Sequence, residues 1–316
     1  QAEDGIRDVE RSRGLGDVYK RQLLNFTLVA NSNEKKIITT IKPIHSILLN
    51  IVDSDVELLL NNNSSPHDFK LKPSDMKKIT DSDVLIYIDE SIESFIERPV
   101  NALGEDTKII KILGNADLSL LPIREGGVWE EEDHGDHHEH NHGAYDAHIW
   151  LGTKNVIKLT KFFVKELSKI SPDKKNIYKA NAKEFIKKVS KTNKDLSAKL
   201  DSVNNEPYIV FHDAYQYFEA DYSLNSVGSI SLNPDISPTP NRIQEIKSKI
   251  EKDNVVCLFR EPQFPSRIVQ TVIQETNAKE GELDPLGFDL TPGKNLYFEL
   301  VTNLSKNLRE CLSKGG

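Results

Sequence analysis

From Ser171 to about Val203 the chain contains a single proline, Pro172, and no glycine. A polar stretch so free of breakers predicts one long helix, and about thirty helical residues span about 45 Å. Ser171 is suited to the N-cap, Pro172 to the first helical position, and Asp173 to the first turn, where the helix dipole favours an acid. Flexible linkers are rich in glycine, serine or proline. This segment instead reads as a rigid strut, and whatever flanks it is held at a fixed reach.

Both flanks carry the same pattern. Before the strut, Lys36–Ile41 (KIITTI), Val56–Leu60 (VELLL), Val84–Ile88 (VLIYI) and Lys108–Ile112 (KIIKI) are short runs rich in β-branched residues and bounded by polar ones. Helix-like segments lie between them, at Pro43–Val52 and Pro73–Asp81. After the strut, Tyr208–Phe211 (YIVF) and Val255–Phe259 (VVCLF) read as strands, and Pro240–Lys252 and Pro265–Thr276 as helices. The last helix, about Asn295–Leu312, repeats leucine at 296, 300, 304, 308 and 312, one apolar stripe. Apolar runs without strict alternation suit strands buried on both faces, as in a mainly parallel sheet flanked by helices. The expected fold class is therefore α/β, and a length of 316 residues suits two such units.

Charge is concentrated rather than spread. The net charge is -8, and the segment 125–148 holds eight acids with no lysine or arginine, which accounts for all of it. That segment also carries six of the nine histidines. The remainder is neutral overall, with none of the basic footprint that nucleic acid requires. The tract Glu125–His142 (EGGVWEEEDHGDHHEHNH) is of low complexity and cannot contribute to a core, so it reads as an inserted loop. No run of about twenty apolar residues is present to span a membrane. Residues 1–22 lack apolar periodicity and look like translated adapter sequence, a non-native tail set aside from fold reasoning. Residues 23–32 (LLNFTLVANS) read as the remainder of a truncated secretory signal peptide, with an ordinary first strand as the alternative.

Three histidines stand apart from the tract at the ends of structured segments. His67 follows the second strand and precedes a helix opened by Pro73. His148, in Asp146–Leu151 (DAHIWL), stands where the tract ends and a helix begins. His212 emerges at the carboxyl end of the YIVF strand, the side on which open α/β sheets bind ligands. Neutral imidazole suits zinc, and three nitrogens with a carboxylate or water complete a tetrahedron. Asp284, in Gly281–Gly287 (GELDPLG), is the candidate fourth ligand, and a turn aspartate capping its neighbours is the alternative. His134, His137, His138, His140 and His142 of the tract are candidates for a weak, exchangeable secondary site, since the acids beside them raise the local cation concentration; a solvated spacer is the other reading. The two cysteines, Cys257 and Cys311, are too far apart in sequence for a CxxC motif and read as either two buried thiols or one bridge.

Five motifs in order carry a resemblance: PHDFKLKPSD (66–75), DAHIWLG (146–152), VFHDAYQYFEADY (210–222), FREPQFPSRIV (259–269) and LDPLG (283–287), with the His-rich insertion directly before the second. Together they resemble the zinc-specific solute-binding proteins of ABC transporters, the ZnuA type, over nearly the whole chain. The resemblance implies two lobes, each with a four-stranded mainly parallel sheet, joined by one long helix with metal bound between them. It implies that His67, His148 and His212 are the primary ligands of a transported zinc ion, that Asp284 is the acidic residue available for the fourth position, and that Cys257 pairs with Cys311. It also implies a periplasmic monomer that is not an enzyme and that delivers zinc to an ABC membrane permease. One departure is that Pro66 stands where some zinc-type members have a glutamate, which leaves Asp284 or water as the fourth ligand. Manganese-type relatives offer two histidines and two carboxylates, so His212 in the third place argues for zinc. A zinc hydrolase, the reading from another class, lacks an HExxH pair. The expected division is 1–22, 23–34, an N-terminal lobe 35–170 containing the His-rich loop 125–147, the linking helix 171–203, and a C-terminal lobe 204–316.

Overall fold

The computed structural model describes residues 34–61, 64–124, 126, 129, 145–232, 234 and 237–313. In the first lobe, β1 (Ile37–Thr39), β2 (Val56–Leu58), β3 (Val84–Tyr87) and β4 (Lys108–Lys111) form a parallel sheet in the order β2-β1-β3-β4. Parallel neighbours need crossovers. Here α1 (Lys42–Leu49), α2 (Pro73–Thr80) and α3 (Glu97–Ala102) lie on those connections. All four residues of β3 are buried, as expected of a strand covered on both faces. Helix α2 opens at Pro73, and the Asp75 carboxylate accepts a hydrogen bond from the Lys72 amide, which fixes the entry to the helix.

The second lobe repeats this plan. Strands β5 (Tyr208–His212), β6 (Ser226–Ser231), β7 (Cys257–Arg260) and β8 (Lys279–Glu282) are parallel, in the order β6-β5-β7-β8. Alternation along β5 serves two layers. Tyr208 and Val210 join the main core, whereas Ile209 and Phe211 join a second cluster with Ile246, Ile250, Val269 and Val272. The last two pairs belong to α7 (Pro240–Lys252) and α8 (Arg267–Ile273). Edge strands β6 (SVGSIS) and β8 (KEGE) have no apolar run, and the residues of β8 are at most half-buried.

Between the sheets lie α4 (Thr153–Ile170) and α5 (Lys175–Leu200), of 18 and 26 residues. Thr153 Oγ1 donates to Asn193 Oδ1, which sets the start of α4 beside the end of α5, so the pair is antiparallel. The 26 residues of α5 correspond to about 39 Å. The capping expected of Ser171 is not found: its amide still bonds Leu167 O, and its side chain makes no cap. Because α4 runs up to this point and must reverse, Ser171 closes α4, and a 3-10 turn at Pro172–Lys174 precedes α5. The final helix, α9 (Leu296–Leu312), buries its whole leucine stripe, with Phe298 and Tyr297 edge-on to Phe185 of α5. A Cys257–Cys311 disulfide ties β7 to α9. In the first lobe, Ser46 of α1 and Asn50, which caps its end, donate to the carbonyl of Lys294, at 3.2 and 2.7 Å, and so fasten that lobe to the segment leading into α9.

Candidate metal centre

Each histidine arrives on a different element. His67 lies in the turn Pro66–Asp68, its amide donating to Ser65 Oγ. His148 immediately precedes a 3-10 turn, Ile149–Leu151. His212 is the last residue of β5. Among the described residues, one group of histidine, cysteine, aspartate and glutamate side chains is arranged to hold a metal ion, and it consists of these three. One nitrogen from each lies within 4.8 Å of the others.

Carboxylates fix two of the rings. His212 Nδ1 is 2.6 Å from Glu261 Oε1, both residues being almost wholly buried. His148 Nδ1 is 2.8 Å from Asp146 Oδ1, which also accepts the His148 amide. An ionised carboxylate only accepts, so each Nδ1 carries the proton and each Nε2 presents a lone pair. Those two Nε2 atoms face each other at 3.3 Å. A tetrahedral ion with bonds of about 2.0–2.1 Å sets its ligand atoms about 3.3 Å apart, the spacing these two nitrogens show. The His67 ring makes no hydrogen bond among the described residues. Its pKa is held well below the ordinary imidazole value, first by burial and then by the charges of His212 and His148. It therefore stays neutral and open to metal at a pH where a free imidazole takes up a proton.

The walls are apolar, formed by Ile92, Trp150, Phe264, Pro285 and Leu286 around a cavity of about 10 Å³. That space suits one ion or water. Trp150 Nε1 donates to Pro285 O at 2.7 Å and so holds the last wall in place.

Asp284 is not grouped with the three nitrogens. Its Oδ1 accepts from Gln263 Nε2 and the amides of Leu286 and Gly287, and its Oδ2 accepts from the Phe288 amide. Gly287, at φ 75°, supplies the left-handed backbone this turn requires. The tract histidines His134, His137, His138, His140 and His142 lie outside the described residues. Of the remaining histidines, His45 is a core residue bonded to Val56 O.

Several supporting groups escape a reading of the sequence alone. Glu261 lies 49 positions from its partner, so nothing local marks it. Asp146, two residues before His148, could have been found from that spacing. Arg124, at the base of the tract, pairs with Asp213 at 3.1 Å and Glu219 at 2.7 Å, next to His212. Burial raises Asp213 to about 7 against the pull of Arg124.

Known proteins resemble this chain in sequence and in fold. A high-affinity zinc uptake system protein ZnuA of Brucella suis is 35% identical over 306 residues, spanning 88% of this chain and 92% of the relative. The protein of the same name from Yersinia pestis is 31% identical over 288 residues, spanning 87% and 91%. A crystal structure of ZnuA superposes with a TM-score of 0.74 at 22% identity, covering 89% of this chain and all of the other. The family model for ZnuA, the periplasmic zinc-uptake complex component A, matches residues 37–311, and the chain belongs to that family.

Proposed function

We propose that this protein captures zinc in the periplasm with His67, His148 and His212 and delivers it to an ABC-type import permease. The observation that carries this reading is the pair of Nε2 lone pairs facing each other at 3.3 Å, each ring held by a carboxylate on its far side. That spacing is well matched to two ligands of a tetrahedral cation, with the carboxylates orienting the rings. The nitrogen-rich set favours zinc over manganese, which prefers oxygen.

The fourth position belongs to water or to Asp284. The four hydrogen bonds that Asp284 accepts favour water, because coordination by the carboxylate requires giving some of them up. The tract histidines serve as a weak outer site, and the protein works as a monomer reached through a cleaved signal peptide. Its role is transport without catalysis.

Competitive titration of zinc and manganese tests the reading. His212→Ala is expected to weaken zinc binding on the order of 100- to 1,000-fold, about one ligand's share of a full zinc set. Unchanged zinc binding in that variant, or tighter manganese than zinc in the native chain, refutes the assignment.

A further inference from the structure

Lys42 opens α1 in the first lobe and is buried, yet no carboxylate lies within ion-pairing distance of it among the described residues. Its ammonium has three N–H donors, and three carbonyls of the second lobe accept them: Gly287 O at 3.0 Å, Phe288 O at 2.6 Å and Leu290 O at 3.3 Å. The same turn is held from its other polar side by Asp284, which accepts from the amides of residues 286, 287 and 288. The peptide group between Gly287 and Phe288 belongs to both sets: its carbonyl faces Lys42 and its N–H faces Asp284 at 2.5 Å. A cation on the oxygen of a peptide polarises its N–H and strengthens the bond that N–H donates. A small second cavity of about 20 Å³, lined by Lys42, Pro66, Gln263, Leu286 and Phe288, adjoins the metal pocket and shares Pro66, Gln263 and Leu286 with it. Lys42 thus stands behind the wall of the site, on the far side of the turn that carries Asp284.

We propose that Lys42 is a positioning residue for metal choice: by holding the 287–290 carbonyls it keeps the Asp284 carboxylate turned into its own loop and leaves the ion three nitrogens and water. The proposal rests on the reading that the three histidines bind the metal. Loss of Lys42 weakens the turn's hold on Asp284, frees the carboxylate to swing to the ion, and hardens the ligand set toward oxygen.

The test is parallel zinc and manganese titration of the native chain, Lys42→Met, and Lys42→Met combined with Asp284→Asn. Lys42→Met is expected to move the manganese-to-zinc affinity ratio toward manganese by about tenfold, the scale of other outer-shell changes, and the double variant is expected to return to the native ratio. An unchanged ratio in folded Lys42→Met, or a shift that survives Asp284→Asn, overturns the proposal. Should Lys42→Met fail to fold by circular dichroism, Asp284→Asn alone decides. Zinc affinity within about twofold of native supports the proposal, and a loss beyond about tenfold shows the carboxylate already on the ion and overturns it. A failure of the site reading looks different, because His212→Ala then leaves zinc binding unchanged.

Discussion

The two lobes have the same strand order, and the first brings His67 and His148 to the cleft while the second brings His212, but the rings are not all secured alike. His212 ends a strand whose five residues are all buried, and Glu261, just past the neighbouring strand β7, locks its ring, as Asp146 locks that of His148. His67 sits in a turn, half-buried, and its ring has no hydrogen-bond partner among the described residues. The second lobe is also the one with a disulfide, and its buried acids Asp213 and Glu219 are compensated by Arg124, which reaches over from the first lobe. In the first lobe Glu93 is fully buried and accepts backbone amides from Ile88 and Asp89, with no cation beside it among the described residues. The second lobe together with His148 is therefore a fixed template, and the His67 turn is the adjustable part. A site built that way keeps its geometry on one side while the other side adapts to ion arrival and departure.

The largest expected effect tests the template. The disulfide closes a loop with a sequence separation of 54. Replacing Cys257 and Cys311 together by alanine should cost about 4 kcal/mol on the chain-entropy account. Urea denaturation of the oxidised chain and the double variant measures this, and equal midpoints would remove the disulfide from the contrast.

Next comes the uncompensated acid of the other lobe. Burial raises Glu93 from the ordinary 4.5 to about 7. Between those two values the folded state holds a proton that the unfolded state has lost, so stability falls as pH rises through the window. Below it both states are protonated, and above it the full penalty is in place. Glu93→Gln keeps the amide acceptor and removes the charge, so it should gain up to about 3 kcal/mol over the native chain at pH 8 and nothing at pH 4. Parallel melts across pH check this, and a gap that does not change with pH contradicts it.

A smaller effect probes how the rings are held. Glu261→Gln should weaken zinc binding by about 10- to 100-fold, the usual cost of losing an orienting carboxylate. Asp146→Asn belongs in the same range. A zinc titration in which neither variant changes affinity would place the two secured histidines on the same footing as His67. Removal of the acidic tract between Gly126 and Tyr145 should have the least effect and leave zinc affinity at the three histidines unchanged within error. A large loss there would make the tract part of the primary site.

The sequence made the buried half of this architecture legible. VLIYI and YIVF could only be covered strands, and the leucine stripe of α9 could only be a core face. Strands β6 and β8 left no such mark because neither carries an apolar run: SVGSIS is built largely of small residues, KEGE is polar where solvent reaches it, and their pairing comes from backbone rather than side chains. At the site, histidines placed at element ends stood out by position. Their supports did not, since Glu261 and Lys42 act across long stretches of chain and neither belongs to a local pattern. Asp284 was legible as a loop aspartate with two readings, and its hydrogen bonds within the turn are those of the capping alternative.

The seam between the lobes has a consequence for how the sequence can drift. Lys42, Ser46 and Asn50, at four-residue steps along one face of α1 and its end, reach across to the backbone carbonyls of Gly287, Phe288, Leu290 and Lys294. Carbonyls are present whatever side chain is attached. The side chains at 288, 290 and 294 can therefore change without loss of these contacts, whereas 42, 46 and 50 cannot. Mutational tolerance at this seam is one-sided: selection for keeping α1 against the 287–294 segment falls on three positions of one short helix and its end.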